Sequence, residues 1–410
     1  MEEKGIKRRK KMTNSIVTII VLLFSTFSFA QNSQTITLEK AIEKAKANNI
    51  DLKIADKEIE KQTVLKKTAF QVDPLQVQYQ GGQFNSVDYD HNVSIQQYFP
   101  IGKITKVNRQ LQEELAKLAE KRKALTEYEI EKAVTLAYYQ YLYGVSIQKL
   151  NNELFDIYSK FLKNAELRFQ TGESGNIEVI SAKAKSKEIE TQKAQIQYDL
   201  VIYQKQLQYF MQTDENVVPD ATTPLKYATN SIKKEEKVQG LVNDFYKQQI
   251  LVYQKEANTF KALRTPKLGL GYFGQTINKE SYFQGFTAGL QIPLFGGANS
   301  AKAKASQISI DQSQLQLDKS TIALKLQKEE LQNEFEKQNK ALLYYQNEGL
   351  QYAEQIITSA QKSYANGDMS YLSYISFLNQ AIDIKKQNAE TVNTYNQSAI
   401  QLQFPSFNNN

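Results

Sequence analysis

Hydrophobic residues recur along this chain with two different spacings, and the spacing changes at defined points. Over residues 37–70 they stand three or four apart, which is the pattern of an amphipathic helix. From Pro74 they alternate with glutamines instead, a pattern typical of a strand with one face in water. A second alternating run begins at Asn92 and ends at the breaker Pro100-Ile101-Gly102. Residues 74–100 are therefore predicted to form a β-hairpin.

Two long helices are predicted to follow the hairpin. Between Lys103 and about Phe169 the chain has no proline and one interior glycine, and leucine and alanine recur at helical spacing. At 1.5 Å per residue this segment would be about 100 Å long. Glycines at 172 and 175 end it, and the next helix is predicted over about 176–211. Residues 214–233, which are polar and contain proline, are predicted to be a linker or equatorial segment.

The same order of elements is then repeated. A helix over about 234–263 leads to a second pair of alternating runs at 266–293 and to a second glycine break at Gly367. Corresponding landmarks are offset by 192 at the first prolines, 193 at the second prolines and 195 at the tip glycines. This agreement indicates a tandem duplication, with a first repeat over 31–213 and a second over 234–410. The alternative is that two similar coiled-coil arms converged through their composition.

The first thirty residues are predicted to be a cleaved export signal. Basic residues precede an apolar stretch of about nine residues, and Ser28-Phe29-Ala30 supplies a small-x-small cleavage site. The alternative is a membrane anchor, but the stretch is shorter than the roughly 20 apolar residues that a spanning helix needs. Residues 1–30 therefore predict an exported protein.

The composition excludes several classes of site. The 410 residues include no cysteine, no tryptophan and one histidine, so disulfide frameworks, thiolate metal sites and acyl-cysteine anchors are excluded. No G-x-S-x-G or phosphate-binding loop occurs, and the acidic residues lie beside lysines as on ordinary helix surfaces. The net charge of +7 includes +4 from residues 1–30. We therefore expect no enzyme activity, no cofactor, no metal site and no nucleic-acid partner.

The predicted strands have the length and the pattern of strands that cross a bilayer. One face is apolar, and the residues expected to face lipid are Leu75, Val77, Leu268, Leu270, Leu290 and Ile292. Four strands cannot close a barrel and lipid does not tolerate open strand edges, so the chain must assemble with copies of itself before its hairpins can span. The alternative, a soluble sheet packed on the helices, stays open because alternation is a weak signal.

The opening Ile36-Thr37-Leu38-Glu39-Lys40-Ala41, the hairpins ending in Pro100-Ile101-Gly102 and Pro293-Leu294-Phe295-Gly296, and the paired glycine tips together resemble TolC-type outer-membrane efflux proteins. The resemblance covers nearly all of the mature chain. It implies a fold that is mainly α with a small β part. Three protomers would pool four strands each into one transmembrane β-barrel, and the duplicated long helical hairpins would form a periplasmic α-barrel. The implied location is the outer membrane of a Gram-negative bacterium.

The same resemblance implies a function, the exit duct of a tripartite efflux pump that exports small molecules or metal ions. The implied partners are further copies of the chain in a homotrimer, outer-membrane lipid, a periplasmic adaptor protein and an inner-membrane transporter of the RND or ABC type. One alternative is the exit duct of a type I protein secretion system. Another, in a different class, is an exported coiled-coil scaffold or adhesin without channel activity.

The resemblance also implies site residues at the two tips. The positions where an adaptor would dock are Gly172, Glu173, Gly367 and Asp368, and the candidate pore constriction comprises Glu178, Ser373 and Ser376. Two simpler interpretations stay open: the glycines end helices in any case, and Glu178 is an ordinary solvated helix charge. Met369 replaces a family arginine in the second tip loop, so the charged latch of the family is not implied here.

Overall fold

Long helices dominate the computed structural model, which describes residues 34–228, 235–278, 280–294 and 296–407. The predicted export segment, residues 1–30, lies outside this described part. In chain order the elements are β1 (Gln34–Ile36), α1 (Leu38–Asn48), α2 (Ile50–Leu65), a 3₁₀ turn (Lys66–Ala69), β2 (Gln76–Gly82), β3 (Asp90–Pro100), α3 (Ile104–Gln170), α4 (Asn176–Met211), β4 (Val217–Pro219), α5 (Glu235–Ala262), β5 (Lys267–Ile277), β6 (Glu280–Gln291), α6 (Gly297–Tyr344), a π turn (Tyr345–Gly349), α7 (Leu350–Ala365) and α8 (Tyr371–Gln403). The predicted fold class, mainly α with a small β part, is confirmed.

The first helical segment is broken where the hydrophobic spacing predicts one continuous helix. Asn49 separates α1 from α2, with an extended ψ of 125°. Its side-chain oxygen accepts hydrogen bonds from the backbone N–H groups of Asp51 at 2.8 Å and Leu52 at 3.2 Å. Because such a bond satisfies donors that a helix start leaves unpaired, Asn49 begins a new helix here. The prediction of a single helix over 37–70 is therefore wrong.

The 67-residue helix α3 connects the strands to the first tip and is about 100 Å long. Its counterpart in the second repeat is interrupted, since a π turn at Tyr345–Gly349 separates α6 from α7. The second repeat has two more residues than the first between its last strand proline and its tip glycine. A π turn holds more residues than an α turn, so it takes up part of this extra length. None of the described helices combines the length and apolar character needed to cross a membrane.

Four strands form one antiparallel sheet in the order β2-β3-β5-β6. Strands β2 and β3 are one hairpin and β5 and β6 the other, and β3 pairs with β5 across the two repeats. A row of directly paired residues crosses the middle of the sheet: Val77, Ile95, Tyr272 and Phe286. In the described residues β2 and β6 each have one unpaired edge.

A second, two-stranded sheet lies beside the middle of α3, away from the four-stranded sheet. Strand β1 pairs in parallel with β4, and Ile36 stands opposite Pro219. The hydroxyl of the buried Tyr138, on α3, donates to the carbonyl oxygen of Ile36 at 3.1 Å. The segment predicted to be a linker, 214–233, thus contains a strand held against the core.

Within the described residues, two separate hydrophobic cores hold the helices together. One surrounds the small sheet and includes Tyr138, Leu207 and Met211. The other lies near the tips and packs α3 and α4 against α7 and α8 around Phe161 and Leu378. Because the tips have their own core, their geometry is fixed independently of the large sheet.

Candidate functional site

The four-stranded sheet places the residues predicted to face lipid on a single face. Directly paired residues of an antiparallel sheet lie on the same face, and Leu268 pairs with Leu290 while Val77 pairs with Ile95. Leu75 and Ile292 continue the same alternation just beyond the strand ends. Val77 is 67% exposed and Phe286 is 87% exposed. The structure therefore brings these six residues onto one broad apolar surface that no other part of the described chain covers.

The opposite face of the sheet is polar and lined by small residues. Gln78 stands opposite Ser94 in the first hairpin. Tyr98 lies over Gly269, where an added Cβ would be 2.8 Å from the tyrosine ring. At Gly271 an added Cβ would be 2.7 Å from a backbone carbonyl oxygen of β3. These glycines therefore allow the aromatic side chain and the neighbouring strand to approach closely.

The first tip is a tight turn between α3 and α4. Gly172 has a φ of +77°, and its N–H donates to the carbonyl of Phe169 at 3.1 Å. The N–H of Glu173 donates to the carbonyl of Arg168 at 2.8 Å. This pair of bonds is a Schellman motif, which favours glycine at the left-handed position. Glu173 is exposed beside it.

The second tip, between α7 and α8, repeats the same geometry. Gly367 has a φ of +80° and donates to the carbonyl of Tyr364 at 3.2 Å, while Asp368 donates to Ser363 at 2.9 Å. Asp368 is exposed, as Glu173 is. The two tips therefore present the same turn with an acidic residue directly after the glycine.

The two tips are joined by a polar and aromatic contact between the helical hairpins. The hydroxyl of Tyr364 donates to Oε2 of Glu178 at 3.2 Å, so that α7 is tied to the first turn of α4. The guanidinium carbon of Arg168 lies 4.8 Å from the centre of the Tyr364 ring, within cation–π range. Tyr364 also stacks on Tyr374 at 4.7 Å. Burial and the nearby Glu178 carboxylate raise the pKa of Tyr364 to about 12.

The sequence did not indicate this contact, because equivalent positions of the two repeats differ in burial. Phe169 and Tyr364 correspond in the duplication, yet Phe169 is 45% exposed and Tyr364 is 6% exposed. The signal that could have indicated the difference is the hydroxyl of Tyr364, since a buried tyrosine needs a hydrogen-bond partner.

The remaining residues of the candidate constriction lie in the first turns of α8. Ser373 and Ser376 are both exposed. The N–H of Ser373 donates to the side-chain oxygen of Ser370 at 3.2 Å, so Ser370 caps the helix. Glu178 is half-buried against Tyr364. Within one protomer the three residues thus have different surroundings, two open to solvent and one held in the contact between hairpins.

Beside the aromatic contact a groove of about 860 Å³, open to solvent on one side, lies between the hairpins. Its lining includes Glu153, Lys160, Gln361 and Tyr364. At its far end the buried ammonium of Lys385 forms ion pairs with Glu153 and Glu354. Burial disfavours the charged ammonium, but hydrogen bonds to both carboxylates outweigh burial and leave the pKa of Lys385 raised.

Two long helices carry apolar stripes that face away from their own protomer. On α6 the exposed residues Ile308, Leu315 and Ile322 are seven apart, which is the spacing of a coiled-coil seam. On α4 the exposed residues are Tyr198, Ile202 and Tyr209. The sevenfold spacing on α6 is visible in the sequence, and a search for heptads would have identified it.

Comparison with known proteins relates the whole architecture to solved structures. No protein-family model matches the chain, and no curated protein matches it in sequence. Among solved structures, CusC, described as forming a transmembrane channel, is 15% identical with a TM-score of 0.72, covering 92% of this chain and 95% of CusC. The outer-membrane protein VceC from Vibrio cholerae is 13% identical with a TM-score of 0.68, covering 90% of this chain and 96% of VceC. The outer-membrane channel OprN is 12% identical with a TM-score of 0.70, covering 90% of this chain and 89% of OprN. Because these matches extend along nearly the whole of each chain, this protein has the fold of the outer-membrane channels, and the resemblance inferred from the sequence is confirmed at the level of the fold.

Proposed function

We propose that the chain is one protomer of a homotrimeric outer-membrane channel that serves as the exit duct of a tripartite efflux pump. The observation that carries this proposal is the four-stranded sheet, whose apolar face is exposed and whose two edge strands are unpaired within the described chain. The sheet is continuous with α3, which is about 100 Å long. The proposed location is the outer membrane of a Gram-negative bacterium, reached through the export segment.

The open edges argue for assembly before insertion. An unpaired backbone edge in lipid costs several kcal/mol per unsatisfied group, and membrane barrels begin at about eight strands. In the proposed assembly β6 of one protomer pairs with β2 of the next. The apolar face, which includes Val77 and Leu290, then faces outer-membrane lipid, and the glutamine-rich face lines a water-filled passage.

The helices support the same assembly. In a ring of copies, α6 of one protomer comes next to α2 of its neighbour, because α6 follows β6 and α2 leads into β2. The exposed apolar residues Ile50, Ile54 and Val64 of α2 lie at the same level as the exposed stripe of α6. Packing these stripes together would bury the apolar residues that one protomer leaves in water. The joined helices form the wall of the proposed periplasmic tube.

The two tips are the proposed docking points for a periplasmic adaptor protein, which would link the channel to an inner-membrane transporter of the RND or ABC type. The surface offered is the Schellman turn with its exposed acidic residue, Gly172-Glu173 in one tip and Gly367-Asp368 in the other. Since the two turns have the same geometry, each protomer offers the adaptor two similar points of contact. Small molecules or metal ions are the proposed cargo.

We also propose that the opening of the mouth depends on the contact between Glu178 and Tyr364. These residues tie α4 to α7, so any outward movement of one helical hairpin relative to the other must break their hydrogen bond. Ser373 and Ser376, exposed on α8, would line the same mouth.

The proposal is tested by two measurements, the membrane fraction in which the protein is found and the ion conductance of the purified oligomer. The protein is expressed with its export segment, membranes are washed with carbonate, and the purified oligomer is inserted into a planar lipid bilayer. We expect the protein to stay in the outer-membrane fraction as a trimer and to give discrete conductance steps. A protein that washes off and gives no conductance would contradict the proposal and favour the scaffold or adhesin alternative. Loss of protein secretion with normal drug and metal tolerance in a deletion strain would instead favour the type I secretion duct.

A further inference from the structure

The junction between the large sheet and the helices carries a concentration of positive charge. Four segments meet there, 66–75, 101–110, 261–268 and 292–304, and we call them the basic collar. Together they contain ten lysines and arginines and a single acidic residue, Asp73. Residues 31–410 have a net charge of +3 and the collar has +9, so the rest of this region is net negative. The excess of positive over negative charge is therefore concentrated at one level of the molecule.

The structure brings the four segments together. The hydroxyl of Thr265 donates to the carbonyl of Ile101 at 3.4 Å. Lys267 pairs with Asp73 at 2.7 Å. A Cβ added at Gly296 would lie 2.9 Å from the Nε atom of Arg264. Each segment thus contacts another just below the strand ends.

Apart from Lys267, the basic residues of the collar form no ion pair within the described part of the chain. Eight of them are exposed: Lys67, Lys103, Lys106, Arg109, Lys261, Arg264, Lys302 and Lys304. Farther from the sheet, lysines again have acidic partners, as in the pairs Lys57–Glu60 and Lys117–Glu114. A symmetric partner copy would bring the same four segments to the same level, and their single acidic residue, Asp73, already pairs with Lys267.

If the sheet crosses the membrane, the collar lies at the level of the headgroup layer and extends a few Å beyond it. Exposed apolar residues lie on its sheet side, among them Phe70 and Leu294. Arg109 is the sixth residue of α3 and Lys304 the eighth of α6, so the basic residues extend about 8–11 Å along the helices. The headgroup layer on each side of a bilayer is on the order of 5–8 Å thick.

We propose that the basic collar binds the phosphate headgroups of anionic phospholipids in the periplasmic leaflet. This inference rests on the proposed function, because the collar lies at a headgroup layer only if the sheet crosses the membrane. The attraction of a lysine or arginine to an anionic membrane surface corresponds to about a fivefold gain in affinity per residue. The collar fixes the depth of the channel in the bilayer and surrounds it with anionic lipid.

The test compares lipids bound to the intact trimer. Purified trimer in mild detergent is mixed with equal amounts of phosphatidylglycerol and phosphatidylcholine, and the lipid adducts are counted by native mass spectrometry. We expect about a fivefold or greater preference for phosphatidylglycerol, which weakens as salt is raised because the exposed charges are screened. The variant with Lys103, Lys106, Lys261 and Lys304 all changed to Gln should show a preference near one.

The control variant has the same change of charge away from the collar, with Lys163, Lys183, Lys325 and Lys340 changed to Gln, all of them exposed on long helices. It should keep the preference of the wild-type protein. An inserted trimer without a preference, or a collar variant that keeps it, would overturn the collar inference alone. A wild-type protein that carbonate removes from the membrane would overturn the proposed function and this inference with it.

Discussion

Lysine placed at Val77 should impair membrane insertion, whereas lysine at the next residue should not. Val77 belongs to the middle row of the sheet with Ile95, the sixth of the eleven residues of β3. A lysine on the lipid face of a membrane barrel costs about 2–4 kcal/mol at the bilayer midplane. Gln78 pairs with Ser94 on the polar face, so a lysine there would stay in water at little cost.

The register also predicts how the penalty depends on depth. Leu290 is four residues from Phe286 along β6, which is about 14 Å along the strand and about 10 Å in depth at the usual tilt. The apolar band of a membrane barrel is about 25 Å tall, so Leu290 lies close to its boundary, where a lysine costs about 0–1 kcal/mol. Val77→Lys should therefore be much more damaging than Leu290→Lys.

The measurement is equilibrium unfolding of each variant from lipid vesicles in guanidinium, together with the amount of trimer in the outer membrane. A loss of about 3 kcal/mol is roughly a hundredfold change in the ratio of folded to unfolded protein. Equal stability of Val77→Lys and Gln78→Lys would refute the assignment of the two faces. Equal damage from Val77→Lys and Leu290→Lys would refute the depth assigned to the middle row.

Three further predictions concern the sheet and the tips. Gly271→Ala should destabilise the protein by about 1–3 kcal/mol in thermal unfolding, because the new methyl group meets a backbone carbonyl that cannot move aside. The matched control is Gly289→Ala, whose added Cβ meets no atom within 4 Å. Gly367→Trp should abolish export while leaving the trimer in the membrane, since the added side chain lies in a left-handed, exposed turn far from the sheet. Gly144 is buried against α4, so Gly144→Trp should instead lower the amount of protein, which immunoblots would measure. Tyr364→Phe should loosen the tips and raise conductance. The pKa of Tyr364 in the folded protein is about 12, above the ordinary value of 10.0. The stabilisation from its hydroxyl is therefore present below pH 10 and lost as the pH rises from 10 to 12. The difference in free energy of unfolding between wild type and Tyr364→Phe should vanish over that pH range.

The elements that the sequence predicted correctly are those with a local signal. Alternation of apolar residues and glutamines located the strands, and proline and glycine marked their ends and the helix tips. Period two also fixed which residues share a face, so Val77 and Leu290 could be placed on the same side before any pairing was known. Each of these sequence patterns lies within a few residues of the strand or turn that it specifies.

The features that the sequence did not reveal depend on contacts between distant segments. Strand β4 has three residues and pairs with Gln34–Ile36 from the start of the described chain, and so short a run has no periodicity to detect. The hydrogen bond from Tyr364 to Glu178 joins residues 186 positions apart. The break at Asn49 is a local signal that could have been used, because asparagine is a preferred helix cap.

The pairing of β3 with β5 makes the join between the repeats equivalent to the proposed join between protomers. Inside the chain, the second strand of the first repeat pairs with the first strand of the second repeat. Between copies, β6 is again the second strand of a repeat and β2 is again a first strand. A threefold ring of these chains is therefore a ring of six hairpins in its sheet, all joined in the same way. In such a ring every second join would lie within one chain and the others between chains. The two repeats of one chain can therefore differ, as they do near the tips, where Phe169 is exposed and Tyr364 is buried.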